Sequence, residues 1–196
     1  MALPQCYDCA HREAGFACRA ADGTFDAAKV GRAIVATGRA YSGDTGGIVD
    51  EALRAANEWA SPCEAEILEH HAELVWPLII AAIDACETPS DAGFVAAGLV
   101  ENAVGGRGPQ LIAGIEALGE RSAKFRYVLS GIWGESGTDP DVWRRIGIVA
   151  GKGGRMSADG RTPWDGKPVT VLDDDEATAL MREQVAPVAR SLGLIA

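Results

Sequence analysis

The sequence predicts an all-α protein, and three observations support that prediction. Apolar residues recur at helical spacing through most of the chain, whereas the alternation typical of strands is nearly absent. Proline and capping residues precede several of these stretches, as they do at helix N-termini. The 196 residues, 47% of them hydrophobic, suffice to bury a core without disulfides or metal. We therefore expect a compact antiparallel helical bundle or an irregular helical-repeat array, with a small Cys-rich knuckle at the N-terminus.

Four regions follow from this pattern. Residues 1–24 are polar and Cys-bearing, without a helical period, and form the predicted zinc-binding knuckle. Residues 25–149 form the helical core domain, and residues 150–172 form a glycine-rich loop. Residues 173–196 begin with acidic side chains, which favour a helix N-terminus. We expect this last region to form a C-terminal helix that packs on the core and is interrupted near Pro187.

The first half of the core domain predicts two short helices and one long helix. Apolar residues at helical spacing mark the short helices over residues 25–40 and 48–60. Ser61-Pro62-Cys63-Glu64 has the pattern of a capping box with proline at the first helical position. The apolar stripe that follows continues to Cys86 and predicts the long helix. Pro77 lies inside it, so we expect a kink or a break there.

The second half of the core domain contains four further helix signals. Thr88-Pro89-Ser90-Asp91 starts a helix in the same way, and we expect Gly105-Gly106 to end it. Pro109 opens the next helix, and residues 122–132 predict another. Asp139-Pro140 opens a short helix that completes the core.

Charge is concentrated in one part of the chain. The whole sequence has 18 basic and 28 acidic residues, a net charge of −10, which excludes coating of nucleic acid or an anionic membrane through net charge. Residues 55–106 carry no Lys or Arg, and this acidic block is either a solvated helical face or a docking surface for a basic protein. The acids predicted to bind such a partner are Glu64, Glu66, Glu69, Glu73, Asp84 and Glu87.

The N-terminal cysteines carry the strongest chemical signal. Cys6-x2-Cys9 places two thiolates at a spacing that lets both bind one tetrahedral metal ion, and Cys18 follows. The predicted structural zinc takes its fourth ligand from His11 or from Cys63, whose position in the first turn of a helix favours a thiolate. The alternatives are free, partly buried thiols or an iron–sulfur cluster on the four cysteines. Cys86, on the apolar stripe, is predicted to be core.

His70-His71 is the second candidate site. Glu66, Glu69, His70 and Glu73 recur at helical spacing and predict one exposed face that could be drawn as a metal site. A His-Glu-x-x-His motif and a second Glu/His helix are both absent from the sequence. His71 falls on the apolar stripe and is predicted to be a buried, hydrogen-bonded histidine.

Short motifs between residues 67 and 148 carry a resemblance to known sequences. They are Glu73-Leu74-Val75-Trp76, Val95-Ala96-Ala97-Gly98-Leu99-Val100-Glu101, Ile115-Glu116, Phe125-Arg126, Leu129-Ser130-Gly131-Ile132-Trp133 and Val142-Trp143. Together they resemble a bacterial domain family of unknown function. The resemblance implies a compact helical fold and supplies no catalytic residues. Within these motifs we expect Trp133 and Trp143 to fill the core, and Gly98 and Gly131 to permit close approach of helices.

Three functions fit these observations. The first is a non-enzymatic protein-binding module, such as a bacterial immunity protein or an inhibitor whose acids imitate phosphates. The second is a metal- or thiol-dependent enzyme at the N-terminal Cys/His cluster. The third is a nucleic-acid-associated zinc knuckle helped by the basic segment 144–161. Because no convergent catalytic set is visible, the first is favoured. The chain start has no basic or apolar leader pattern, and the longest apolar run is too short to span a bilayer, so we expect a cytoplasmic protein without membrane contact.

Overall fold

The computed structural model describes residues 17–42, 49–154, 156 and 170–196. Within these residues the chain forms helices and no strand beyond an isolated bridge between Arg19 and Phe25, so the predicted all-α class is confirmed. The first six helices are α1 (Ala27–Ser42), α2 (Glu51–Asn57), α3 (Ala60–His70), α4 (Ala72–Ala85), α5 (Pro89–Val95) and α6 (Glu101–Gly119). The remaining four are α7 (Ala123–Leu129), α8 (Pro140–Ala150), α9 (Asp174–Leu180) and α10 (Ala186–Ser191). A π-helical segment (Ala96–Val100) joins α5 to α6, and one 3-10 turn (Glu135–Gly137) precedes α8.

Helices α1 and α4 form the centre of the core. Seven of the 14 residues of α4 are buried, which follows from its nearly continuous apolar sequence. The two helices approach closely at Gly31, where an added Cβ would lie 2.7 Å from the backbone of Ala81 and Ala82. Glycine is therefore required at this position by helix packing. Helices α2, α3 and α5 also pack against α1.

Most of the predicted helix starts are confirmed. Thr88 and Asp91 form a capping box at α5, and the Ser122 and Asp139 side chains cap α7 and α8. The box predicted at Ser61 does not form, because α3 already begins at Ala60. Its preceding residues keep right-handed helical dihedral angles, so the chain lacks the extended N-cap residue that a capping box needs.

The long helix predicted to end at Cys86 is broken at His71 and not at Pro77. His71 leaves the helical region with φ −126° and ψ 69° and separates α3 from α4. Pro77 lies in the second turn of α4, where its missing N–H removes only the hydrogen bond to the carbonyl of Glu73. The proline is therefore tolerated inside α4. The prediction of a kink or break at Pro77 was wrong, since the helix breaks at His71 instead.

Gly105-Gly106 does not end a helix, contrary to the prediction. Helix α6 continues through both glycines and is kinked at Arg107, whose φ of −135° and ψ of 15° are non-helical. The kink lies two residues before Pro109, which has no N–H to donate to the carbonyl of Gly105 and whose ring would clash with that carbonyl in a straight helix. The predicted interruption is thus a bend within α6.

Two of the four expected packing positions were wrong. Trp143 is buried, but 71% of Trp133 is exposed beside the 3-10 turn. Gly131 does permit close approach, since an added Cβ would lie 2.9 Å from that of Ala96. At Gly98 an added Cβ would meet nothing within 4 Å, so this glycine faces open space.

The C-terminal region forms two short helices, α9 and α10, and not the single interrupted helix that was predicted. Asp84 of α4 caps α10, its carboxylate accepting hydrogen bonds from the backbone N–H groups of Val185 (2.6 Å) and Ala186 (3.1 Å). The interruption therefore precedes Pro187, which lies in the first turn of α10. Most of the predicted knuckle and loop lies outside the described residues. No helix in the described part of the chain is both long and apolar enough to cross a membrane.

Candidate functional site

A cavity of about 780 Å³ opens between α1, α3, the π-helical segment and α6. This volume is in the range of pockets that bind a small molecule or a large side chain. Its apolar lining comes from Ile34, Ala65, Leu68, Phe94 and Leu99. The polar lining comes from Thr37, Ser61, Glu64, Glu69, Asn102 and Arg107. The remaining lining residues are Gly98 and Gly106.

Glu64 is the central polar group of the cavity. Burial raises the pKa of its carboxyl group, and a weaker opposing effect comes from Asn102, whose Nδ2 donates a hydrogen bond of 3.3 Å to Glu64. Among the described residues, no basic side chain forms an ion pair with Glu64. The carboxyl group therefore lies in a partly desolvated position where a ligand carrying positive charge would stabilise its ionised form.

Arg107 lines the same cavity, but its guanidinium group already donates hydrogen bonds to two backbone carbonyls. Nε donates to the carbonyl of Leu68 at 2.5 Å, and Nη2 donates to the carbonyl of Glu69 at 2.7 Å. Both carbonyls belong to the last turn of α3, which has no helical donors of its own. Arg107, at the kink of α6, thus caps the C-terminus of α3 and links the two helices.

Two glycines leave the cavity open. An added Cβ at Gly98 or Gly106 would meet nothing within 4 Å, although both residues lie in helical segments. Gly98, Asn102 and Gly106 recur every four residues and so share one helical face. This face, without a large apolar side chain, is the sequence signal that could have located the cavity, and the sequence prediction missed it.

The structure separates the six predicted partner-binding acids. Glu64 and Glu69 line the cavity, and 74% of the Glu69 side chain is exposed. Asp84 is used inside the molecule to cap α10. Glu87 is exposed and pairs with Arg39 at 2.8 Å.

The structure shows that the exposed face predicted at His70 is wrong in one residue, Glu66. The Glu66 side chain is only 9% exposed, so it does not share an exposed face with Glu69 and His70. His71 is buried, as predicted, with Nε2 at 3.5 Å from Glu66 and Nδ1 at 3.8 Å from Glu73. This histidine connects α3 to α4 through two carboxylates and lies outside the cavity lining.

Two of the five predicted metal ligands lie in the described part of the chain, and they are in contact. Cys18 and Cys63 are both buried and reduced. The pKa of Cys18 is lowered to about 7, chiefly by a hydrogen bond with Cys63 and, against the effect of burial, by its own backbone N–H and the charges of Arg19 and Lys29. Cys6, Cys9 and His11 lie outside the described residues.

Cys86 differs from these two thiols. It is buried as predicted, and its Sγ lies 3.3 Å from the carbonyl oxygen of Ala82 in its own helix, to which it donates. Burial raises its pKa to about 12. Cys86 is therefore an inert core thiol.

In the basic segment 144–161, each basic side chain that the structure describes is paired with an acidic one. Arg145 forms a bidentate pair with Glu116 at 2.8 and 2.6 Å. Arg144 pairs with Asp141 at 2.6 Å, and Lys152 lies 3.4 Å from Glu120. Contacts of this segment with phosphate would therefore compete with existing ion pairs.

Comparison with known proteins identifies a family without a known function. A family model matches residues 49–153, more than half of the chain, so the protein belongs to that family, described as a family of unknown function (DUF6869). The match contains the region 67–148 and confirms the predicted resemblance to an uncharacterised domain family. Of the cavity lining, only Ile34 and Thr37 lie outside it. No curated protein and no solved structure matches the chain.

Proposed function

We propose that this member of DUF6869 is a non-enzymatic binding module that docks a basic protein and receives a lysine or arginine side chain of that partner at Glu64. The observation that carries the proposal is a half-buried carboxyl group that lines an open cavity and accepts a hydrogen bond from Asn102. A partner's ammonium or guanidinium group would replace the lost solvation of that carboxylate. Phe94 and Leu99 would contact the aliphatic part of the same side chain.

The surroundings of the cavity support a basic protein as the ligand. Glu69 lines the cavity, and 74% of its side chain is exposed. Acidic groups around a binding site raise the association rate of a basic partner and select against acidic ones.

The remaining acids favour one acidic pocket over a row of phosphate mimics. Asp84 caps α10, Asp91 pairs with Arg39, and Glu101 accepts a hydrogen bond from the backbone N–H of Trp133 at 2.7 Å. Carboxylates with partners inside the chain are poorly placed to imitate phosphates. An immunity or inhibitor role would therefore depend on the side chain bound at Glu64.

The chemistry of the cavity favours binding over catalysis. Its described lining contains the carboxyl groups of Glu64 and Glu69, an amide, hydroxyl groups and a guanidinium group, with no histidine or thiol beside them. Two of the five N–H donors of Arg107 already bond to the carbonyls of α3. Recognition of a positively charged group at Glu64 leaves both of these bonds in place.

The test uses defined peptides and two matched variants. Short capped peptides containing lysine, arginine or norleucine at one position are titrated into the wild type, Glu64→Gln and Glu87→Gln by calorimetry at low and physiological salt. Glu87 is an acid of the same block that does not line the cavity. We expect lysine and arginine peptides to bind the wild type more tightly than norleucine peptides, Glu64→Gln to bind at least tenfold more weakly, and Glu87→Gln to change affinity less than threefold. Equal affinities for the wild type and Glu64→Gln would refute the proposal, and so would binding of norleucine as tightly as lysine.

A further inference from the structure

A second cavity of about 360 Å³ adjoins the first cavity, the one that contains Glu64. One wall of the second cavity belongs to α6, and the other belongs to the 3-10 turn and the residues on either side of it. Asn102 and Gly106 line both cavities, so the two openings meet across one face of α6. The complete lining of the second cavity is Glu101, Asn102, Gly105, Gly106, Gly134, Ser136, Gly137 and Thr138.

The lining of the second cavity is polar and rich in hydrogen-bond acceptors. Its four glycines leave backbone exposed, and its described side chains include no basic group and no large apolar group. The Thr138 hydroxyl donates to the Gly134 carbonyl at 2.8 Å, which leaves its own lone pairs as acceptors, and Ser136 adds a second hydroxyl. Ammonium and guanidinium groups carry only donors, so this lining suits a cationic side chain.

Glu101 gives the second cavity its negative charge. Its Oε2 accepts a hydrogen bond from the backbone N–H of Trp133 at 2.7 Å, and its Oε1 has no donor among the described residues. No basic side chain in the described ranges forms an ion pair with this half-buried carboxylate. Because a carboxylate accepts several hydrogen bonds, Glu101 can keep the bond to Trp133 and bind a cation as well.

Glu69 is the other acid near the first cavity that a second cation could reach, and its surroundings are less favourable. Its side chain is 74% exposed, and its Oε2 already lies 3.7 Å from Nε2 of His70. An ion pair at such an exposed carboxylate adds little affinity, since both charges are well solvated when apart. The half-buried position of Glu101 in a cavity of its own therefore favours it as the second site.

We propose that the two cavities bind two cationic side chains of one basic protein, the first at Glu64 and the second, a lysine or arginine, at Glu101. The juxtaposition that carries the proposal is two adjoining cavities, each with a carboxylate that has no basic partner in the described part of the chain. An added Cβ at Gly106 would meet nothing within 4 Å, so the shared face is open where the partner's chain would cross it. This inference rests on the proposed function and extends it from one basic residue to a pair. Two linked charges bind cooperatively, and the requirement for both selects against partners that carry only one.

The test compares peptides that carry one or two lysines. Capped peptides with two lysines separated by one, two or three glycines are matched with peptides in which either lysine is replaced by norleucine. Calorimetry at physiological salt measures their affinity for the wild type, Glu101→Gln, Glu69→Gln and Glu64→Gln. Glutamine keeps an oxygen that can accept from the Trp133 N–H, so Glu101→Gln removes the charge without removing that bond.

We expect one two-lysine peptide to bind the wild type at least about tenfold more tightly than the better of its norleucine counterparts. This advantage is expected to fall below about threefold in Glu101→Gln and to persist in Glu69→Gln. An advantage below about threefold in the wild type, its persistence in Glu101→Gln, or its loss in Glu69→Gln would overturn the proposal.

A second pair of variants covers a Glu101→Gln protein that does not fold. Ser136 is exposed and lines the second cavity but not the first, so Ser136→Lys places a positive charge where the second cation would bind. Ser90→Lys is the matched control, because Ser90 is exposed and lines neither cavity. We expect the two-lysine advantage to fall below about threefold in Ser136→Lys and to persist in Ser90→Lys, and equal advantages in the two would overturn the proposal.

The same titrations separate failure of this inference from failure of the proposed function. Single-lysine peptides that bind more weakly to Glu64→Gln, with no gain from a second lysine, would overturn this inference and leave the proposed function intact. Single-lysine peptides that do not bind, or that bind equally well to Glu64→Gln, would overturn both.

Discussion

Replacement of Asp91 by asparagine is expected to destabilise the protein strongly, because this buried carboxylate has four hydrogen-bond donors. Arg39 donates twice, through Nε at 2.9 Å and Nη2 at 2.8 Å. The backbone N–H groups of Glu87 and Thr88 donate at 2.9 and 3.0 Å. The Asp91 side chain is only 2% exposed, so solvent cannot replace a lost partner.

The magnitude follows from these contacts. Breaking one partner of a buried charge pair costs about 3–5 kcal/mol. Arg39 is 40% exposed and regains water, which favours the lower end, so we expect a loss of about 3 kcal/mol in the free energy of unfolding. For a chain of this size each kcal/mol shifts Tm by roughly 2–4 °C, so the expected decrease in Tm is roughly 6–12 °C.

The pH dependence supplies a second, independent check. Burial alone would raise the pKa of Asp91, but the Arg39 and backbone hydrogen bonds outweigh it and lower the pKa below its ordinary value. A carboxyl group with a lowered pKa stabilises the fold above the pKa of the unfolded chain, and this stabilisation is lost as pH falls through the folded value. The difference between wild type and Asp91→Asn is therefore expected to be full near neutral pH and to shrink in acid.

The assay is urea unfolding followed by circular dichroism for the wild type, Asp91→Asn and Glu87→Gln. Glu87 contacts the same Arg39 group, but its side chain is 75% exposed, so its loss is expected to cost less than about 0.5 kcal/mol. A loss below about 1 kcal/mol in Asp91→Asn, or one equal to that of Glu87→Gln, would refute the reasoning from burial.

Three further predictions concern packing and the cavity. Gly31→Ala is expected to lose about 1–3 kcal/mol of stability because its Cβ would overlap the backbone of α4. Gly98→Ala is expected to gain roughly 0.5–1 kcal/mol because its Cβ enters open space in a helical segment. Thermal unfolding of the two variants checks both signs. Trp133→Ala is expected to change stability by less than about 0.5 kcal/mol and Trp143→Ala to lose roughly 3–5 kcal/mol, and similar losses in the two would contradict the exposed position of Trp133. Glu64→Gln is expected to raise stability at neutral pH and to have no effect in acid, because burial raises the pKa of Glu64 and so disfavours its charged form in the folded state. Urea unfolding at both pH values tests this expectation. Destabilisation at neutral pH would contradict it.

Local signals predicted the helices well where one residue decides the geometry. Thr88, Ser122 and Asp139 cap helices as expected, because a side-chain oxygen at an N-cap bonds to the backbone within a few residues. The Ser61 signal failed because the preceding chain was already helical, which the four residues of the motif do not encode. The break at His71 was missed because the apolar stripe continues through this residue without interruption.

The candidate site was less predictable than the helices. The sequence placed Glu64 in an acidic block, but it gave no sign that Asp84 caps α10, whose first residues lie about a hundred positions later. The cavity lies between α1, α3 and α6, which come from separate parts of the chain, and the sequence prediction missed the face of Gly98, Asn102 and Gly106 that lines it. The Cys18 and Cys63 contact was within the set of predicted ligands, since cysteine spacing limits the choices even when the fold is unknown.

The bond pattern of Arg107 couples the width of the cavity to the stability of a helix end. The same guanidinium group closes the last turn of α3 and fixes the bend of α6, so the two walls cannot separate unless both carbonyls lose their donor. Lysine at this position would offer a single ammonium group where a planar fork now spans two acceptors. A ligand that needs a wider opening would thus have to break both hydrogen bonds and leave two carbonyls of the last turn of α3 without these donors.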